Sequence, residues 1–564
     1  MGKFNEKKVS KSEVIVTNTH QGGLGYTQKP EYELIGILST GIQNTYYEKE
    51  TERETRFREI FNKVASKNVL FAAKALIYAR TVFGQRSVTH YGAVELIPHL
   101  SGTEIGKKFF SKRERNKNAG GIIYRLDDMT EILACYLAKN KSKNGEKPVL
   151  PNSIKKGFKD AIENSDAYVL AKYQGKNNEV SLVDIVNLVH PAETAINGVI
   201  MVEEAAYLKA IQGSKKFADK EYKKVEGKVE VPALRALVLG ILHQFNTVED
   251  KNTETGKVVA EKVKSGLITK EQAAVELNES KTENYKELIE TKKIGYLALL
   301  RNLRNIIKTN DVDLLDKACE LLVQEDFIKK SLIWPHLIDL CLEIMLTEFS
   351  GVQLGKVANA LGVAYECSIP NLKTLLPEGR TAVVFDTSGS MSDGACALSN
   401  NGRSRSVPAE KAALVAATFA KGINGDVYHF ASGCEKITGW NPMDSVNTLK
   451  QKFMSYSGRL SHGTDFGSWF PLFVRRNERY DRIVVISDEQ DGYGQTEKHM
   501  AEYVKKFGTP YIYIINITGY GPTAMKAGSK TFRLFGYTQN IYEDIPKLEI
   551  NPQVVIDAIN AIEI

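Results

Sequence analysis

Thr381-Ala382-Val383-Val384-Phe385-Asp386-Thr387-Ser388-Gly389-Ser390 is a short apolar run that ends in one carboxylate and two hydroxyls at spacing two. An unbroken apolar run of this length is the pattern of a strand buried on both faces of an α/β sheet. Side chains just past the carboxyl end of such a strand face the crevice where open α/β sheets bind ligands. Asp386, Ser388 and Ser390 are hard oxygen donors, suited to Mg²⁺, Mn²⁺ or Ca²⁺ rather than zinc. Two further donors lie downstream. Thr464 sits in the loop Ser461-His462-Gly463-Thr464-Asp465, and Asp488 follows a second apolar strand, Arg482-Ile483-Val484-Val485-Ile486-Ser487. The competing reading is a Ser/Asp cluster that caps a helix or closes a turn.

From Pro370, Pro377 and Gly379 onward, short apolar strands alternate with helices. The expected elements are Thr381–Asp386, Ala409–Lys421, Asp426–Phe430, Ser445–Met454, Phe466–Val474, Arg482–Asp488, Tyr511–Ile517 and Pro552–Ile562. This βα alternation predicts a doubly wound sheet over residues 371–564. The Ser/Asn/Gly/Arg-rich loop Met391–Pro408 is long for such a connection. The order D-x-S-x-S, then T, then D resembles the metal-ion-dependent adhesion site (MIDAS) of von Willebrand factor A domains. The resemblance implies an A-like α/β domain with a divalent ion, Mg²⁺ first, held by Asp386, Ser388, Ser390, Thr464 and Asp488. It also implies that an acidic residue of a partner fills the remaining coordination position, which makes the site a docking device.

Three enzyme readings fail on these residues. A haloacid-dehalogenase-type phosphatase wants a second carboxylate two residues after Asp386, where Ser388 stands. A serine hydrolase wants G-x-S-x-G, and Asp386-Thr387-Ser388-Gly389-Ser390 lacks the first Gly. Asp488-Glu489-Gln490-Asp491-Gly492 misses the EF-hand spacing. His429 and His462 are isolated and read as structural. No catalytic residue is expected.

With 564 residues the chain should hold two or more domains, and 43% hydrophobic with 25% charged residues is the balance of a globular protein. No apolar run reaches the ~18 residues of a membrane span. Met1–Lys8 has no signal-peptide core. The six cysteines, Cys135, Cys319, Cys341, Cys367, Cys396 and Cys434, are scattered without a C-x-x-C pair. Free thiols in a reducing, cytoplasmic setting are the expectation. The net charge is +7, of which residues 371–564 hold only +1, so the basic excess lies in the first 370 residues.

Residues 1–20 read as a flexible polar arm, followed by the Gly-rich Gln21-Gly22-Gly23-Leu24-Gly25. From Tyr32 to about Ile369 the periodicity is helical. Phe57, Ile60, Phe61 and Val64, then Met129, Ile132, Leu133, Tyr136 and Leu137, then Leu314, Leu315, Ala318, Leu321 and Leu322 follow the one-face template. Val231–Phe245 reads as a buried helix with Pro232 near its start. Residues 247–291, rich in Lys, Glu and Thr, read as an exposed charged insertion. So many consecutive helices over residues 21–370 predict an all-α helical-repeat array.

Four segments refine this: Tyr78–Ser87, Arg125–Glu131, Ala171–Lys176 with Ser181–Pro191, and Leu297–Leu303. With an A domain behind them, they resemble the TROVE module of the Ro autoantigen family, in the character of a bacterial Ro orthologue. The resemblance implies a monomeric HEAT-like helical-repeat ring that binds a small Y-like non-coding RNA on its surface and single-stranded 3′ ends of misfolded or processed RNA in its hole. Lys172, Lys176 and His190 match the Y RNA contacts, with Lys176 where the family often carries Arg. Arg86, Lys112, Arg115 and Arg301 are the candidates for the hole. An RNA tether to an exoribonuclease follows from the bacterial branch, for RNA quality control or turnover without membrane attachment. The bland readings are a helix-end His190, a snorkelling Lys172 and a solvated Lys107–Lys117 loop. The alternative function is a metal-dependent protein-interaction scaffold that binds no RNA. A secreted adhesion protein stands third.

Overall fold

Val16–Asn18 (β1) and Leu24–Tyr26 (β2) pair antiparallel where an arm and a Gly-rich lead-in were expected. The structure is a computed structural model. It describes residues 15–114, 117–140, 148–174, 179–193, 196, 198–212, 214, 217, 222–225, 227–242, 282–283, 285–292, 294–331, 335–369, 372, 376, 378–392, 407–537 and 540–564. Two compact units emerge: Met1–Thr55 with Leu322–Val554, the sheet unit, and Arg56–Leu321 with Val555–Ile564, the helical unit. The units are therefore interleaved in sequence rather than divided at residue 370.

The helical unit follows the periodic residues. Phe57, Phe61 and Val64 are buried on Glu50–Lys67, Met129, Ile132, Leu133 and Tyr136 on Asp127–Lys139, and Leu314, Leu315, Ala318 and Leu321 on Val312–Leu322. Helix starts are fixed by side chains that accept orphan amides. Asn68 accepts from Phe71 N at 3.0 Å, and Ser181 with Asp184 forms a reciprocal box at the head of Leu182–Val189. Arg113–Glu114 (β3) and Ala119–Gly120 (β4) form a small hairpin in the basic Lys107–Lys117 region. The tail belongs here too: Lys74 Nζ donates to Asn560 O at 2.5 Å and Arg113 Nη1 to Glu563 O at 3.2 Å.

The expected helix Val231–Phe245 is corrected by a sheet. Val199–Glu203 (β5), Lys223–Val225 (β6) and Lys228–Pro232 (β7) order as β5-β7-β6, all antiparallel. Val229 and Val231 alternate with polar neighbours and are fully buried, the period-two pattern of a strand. Among the described residues of that stretch only Ala233–Val238 is helical, and Gly240 at φ 72° follows its end. Residues 243–281, most of the expected insertion, lie outside the described residues.

The sheet unit is built on Thr381–Asp386 (β8), Asp426–Phe430 (β9), Cys434–Lys436 (β10), Arg482–Ser487 (β11), Tyr511–Asn516 (β12) and Thr531–Phe535 (β13). Their order is β10-β9-β8-β11-β12-β13, parallel except for the edge strand β10. Every residue of β8 and β11 is buried, as expected of strands covered on both faces. Ala382, Val384, Ile483 and Val485 pack with Trp469, Phe470, Phe473 and Tyr503 on one face. On the other, Phe385 stacks on Phe453 of Val446–Met454, ring centroids 6.1 Å apart. From β8 the chain steps to β9 on one side and later returns to β11 on the other. The carboxyl ends of β8 and β11 thus flank the switch point where such sheets leave a crevice.

Two helices on the amino side of residue 370 belong to this unit. Asp339 and Glu343 of Pro335–Glu348 clasp Lys411, the second at 2.8 Å, and Glu366 of Val352–Cys367 pairs with Lys421 at 3.0 Å. The helix Pro30–Thr40 lies on β13, where a Cβ on Gly36 would come within 3.1 Å of the Phe535 ring.

Candidate functional site

β8 ends on Asp386, and the chain turns at once into the single helical turn Gly389–Ser392. Asp386 Oδ1 accepts the Ser388 amide at 2.9 Å, and Oδ2 accepts the Ser487 hydroxyl at 2.5 Å. The Ser388 and Ser390 hydroxyls are 3.4 Å apart. β11 delivers Asp488, whose Oδ1 accepts the Gln490 amide at 3.0 Å, whereas Oδ2 is buried with no hydrogen-bond partner. Thr464 is tied into the same place by its carbonyl, which accepts from Gly492 N at 2.9 Å, and by Gly389 N donating to His462 O of its loop at 2.9 Å. Asp386, Ser388, Ser390, Thr464 and Asp488 are each at most 2% exposed.

Burial raises the pKa of Asp386, and burial together with the Asp386 charge raises that of Asp488 further. Two carboxylates in one dry site disfavour each other's ionised form. The donor set is all oxygen, two carboxylates and three hydroxyls, which is the chemistry hard divalent cations take. Among the described residues, no three His, Cys, Asp or Glu side chains gather into a metal-holding group. Any cation here depends on the hydroxyls.

The neighbours are structural. His429 is buried between Thr387 Oγ1 at 3.1 Å and Glu435 Oε2 at 3.4 Å, and burial lowers its pKa. Glu489 is fully buried and paired with Arg533 at 2.8 Å. Asp491 accepts the Tyr493 and Gly494 amides at 3.0 and 2.9 Å and so shapes the loop after β11.

Onto that loop sits the N-terminal hairpin, which the sequence reading did not connect to the site. His20 N donates to Gln490 Oε1 at 2.8 Å, Gly23 N to Asp491 O at 2.9 Å, and Gln21 Nε2 to Thr464 Oγ1 at 2.8 Å. Tyr26 and Thr523 exchange backbone bonds of 2.9 and 3.0 Å. Tyr47 lies beside Gln21 and Ser390, and burial raises the pKa of its hydroxyl. Its ring stacks on His20 at 5.2 Å and meets Tyr520 edge-on at 5.5 Å. The available signal was Gly23: a Cβ there would lie 2.3 Å from Asp491 O, so only glycine permits the approach. Gly23→Ala is expected to destabilise the sheet unit by about 1–3 kcal/mol, read as a lower melting temperature and faster proteolysis within residues 15–28.

The RNA-matching residues are more dispersed. Lys172 closes the helix Ala167–Lys172, exposed, with Nζ 5.5 Å from the Tyr173 ring. His190 is the exposed left-handed cap of Leu182–Val189, at φ 47°. Arg301 is exposed on Tyr296–Lys308. Arg86 gives its guanidinium to Asp127 at 2.9 Å and Glu131 at 2.6 Å, and Lys112 donates to Ser165 Oγ at 3.1 Å and to Asn164 O. Lys176 and Arg115 lie outside the described residues.

Arg86 belongs to a charged network inside the helical unit. Asp128 Oδ1 accepts from Arg80 Nη2 and His90 Nε2, each at 2.9 Å, and Oδ2 from Tyr124 N and Arg125 N at 3.0 and 2.8 Å. His90 Nδ1 meets Glu131 at 2.8 Å. The Arg125 guanidinium lies 5.1 Å from the Tyr173 ring, so the network reaches the residue beside Lys172.

Among the described residues, no helix is long and apolar enough to cross a membrane. No protein-family model matches the chain, and no curated protein matches it. The chain is similar to the crystal structure of the Deinococcus radiodurans RO (RSR) protein, at 15% sequence identity and a TM-score of 0.46, over 92% of this chain and 100% of that one.

Proposed function

We propose that this chain is a non-catalytic RNA-binding protein of the Ro type whose sheet unit holds a hard divalent cation, Mg²⁺ first. The observation that carries the cation is Asp488 Oδ2, buried and unpartnered beside a second buried carboxylate. A cation there would offset both negative charges, with Ser388, Ser390 and Thr464 as neutral donors. Bound, it supplies fixed positive charge for holding an oxygen ligand.

The RNA part is supported by the segments Ala171–Lys176, Ser181–Pro191 and Leu297–Leu303, which resemble the Ro family. Lys172 and His190 stand exposed at helix ends, Lys172 beside the Tyr173 ring, a combination of cation and aromatic that suits phosphates and bases. In this reading the helical repeats form a ring that binds a Y-like RNA outside and single-stranded ends within, and the RNA tethers an exoribonuclease. Lys172, Lys176 and His190 contact the structured RNA, while Arg115 and Arg301 face strand ends. Arg86 and Lys112, committed to partners in the fold, position their neighbours.

Gel shifts over a salt series test this. Affinity should fall steeply as salt rises, and Lys172→Ala with Lys176→Ala should lower the salt slope by about 1 each. An affinity indifferent to salt, with no RNA in the purified protein by its 260/280 nm absorbance ratio, would favour the protein-interaction scaffold.

A further inference from the structure

We propose that Gln21 completes the cation site from within the chain, occupying the position at which A-like domains take an acidic residue of a partner. This rests on the cation reading above. All five donors are buried although the site lies at the sheet's ligand crevice, so something covers it. The cover is the N-terminal hairpin and the segment ending at Tyr47. Gln21 places its carboxamide 2.8 Å from Thr464 Oγ1, and the Tyr47 side chain lies beside both Gln21 and Ser390.

The fit is geometric and chemical. Adjacent oxygens in an octahedral Mg²⁺ shell lie about 3 Å apart, as its ~2.1 Å bonds require. The Gln21 carboxamide and Thr464 Oγ1 stand at 2.8 Å, and the Ser388 and Ser390 hydroxyls at 3.4 Å. Rotating the amide by half a turn exchanges Nε2 for Oε1, a neutral carbonyl oxygen of the kind hard cations accept. Gly492 leaves room for the carboxamide: a Cβ there would come within 3.2 Å of Gln21 Oε1, the position that Nε2 takes after the rotation. The carboxamide is also held from behind, since His20 and Gly23 on either side of it bond to Gln490 and Asp491. With Gln21 in place, the ion fastens the N-terminal segment to the sheet unit, and an outside carboxylate would have to displace it.

The test uses the full chain with Mg²⁺ and Mn²⁺ as probes. Calorimetric titration is run on the wild type, Gln21→Ala and Gln21→Glu, with hydrogen exchange of residues 15–28 measured with and without the ion. Gln21→Ala should weaken the ion by at least about tenfold, and Gln21→Glu should bind more tightly than wild type. The ion should slow exchange at the Thr19, Gly23 and Tyr26 amides in the wild type and not in Gln21→Ala. Equal ion affinity in all three proteins, with unchanged exchange, overturns the Gln21 assignment and leaves the cation site standing. A wild type that binds neither ion overturns both.

Discussion

Asp128→Ala is expected to lower the stability of the helical unit by about 3–5 kcal/mol in urea denaturation near neutral pH. Asp128 is fully buried, and its partners Arg80 and His90 are 6% and 1% exposed. Removing the carboxylate strands the Arg80 guanidinium in the interior, leaves His90 with Glu131 alone and frees the Tyr124 and Arg125 amides that it accepts. The pH course separates this from simple loss of packing. Burial alone would raise the Asp128 pKa, but the His90 hydrogen bond and the Arg80 charge hold it down at about 2. Its folded pKa lies below the unfolded value, so its contribution is present above about pH 4 and lost as pH falls toward 2. His90 runs the other way. Burial alone would lower its pKa, but the bonds to Asp128 and Glu131 outweigh that and raise it. Its contribution is full below about pH 6.5 and is lost as pH rises through the higher folded value. The wild type should therefore lose stability from this network in both directions from about pH 5–6, and Asp128→Ala should flatten the acid side. A variant within 1 kcal/mol of wild type would show that water reaches these cations.

Asp386→Ala should abolish cation binding while leaving RNA binding by the helical unit intact. At a hundredfold excess over its Kd, an ion that binds only the folded state stabilises it by about 2.7 kcal/mol. The wild-type melting temperature should rise accordingly with Mg²⁺, and that of the variant should not move. The substitution removes one of two buried carboxylates but leaves the Ser487 hydroxyl without its acceptor. Without the ion, these opposing changes should leave the variant folded. Loss of RNA binding together with ion binding would mean that the sheet unit takes part in holding RNA.

Much of the sheet unit is legible in sequence because its central strands are short unbroken apolar runs. β8 ends at Asp386 as read, and β11 ends one residue early, at Ser487. The donors at the ends of these strands converge because chain topology decides where strand ends lie. Other elements had weaker signals. β13 carries Arg533 in mid-strand, and Asn540–Leu548 contains Pro546, which argues against a helix on propensity alone. Lys228–Pro232 runs directly into an apolar helical stretch, which masks its period of two. The cover over the site was harder still. Gln21 and Thr464 are 443 residues apart, and no periodicity links a glutamine to a threonine across that distance. Tyr47 has no motif, and only the glycines before Leu24 hinted at a close approach.

The pairing of Tyr26 with Thr523 sets a timetable for biosynthesis. The two residues are 497 positions apart, and ribosomes add about 5–20 residues per second, so the hairpin waits roughly 25–100 s for its partner. Meanwhile Tyr26, Leu34, Ile35, Ile37 and Leu38, all buried in the finished fold, stay uncovered on the nascent chain. The helices between them are translated first and fold locally. Closure of the sheet unit around its own beginning is then a late, post-synthetic step, slowed by the loop that must be spanned. A fragment started at residue 371 would be made sooner, but it would lack the hairpin that bonds to Asp491 and Thr523 and the helix that lies on β13.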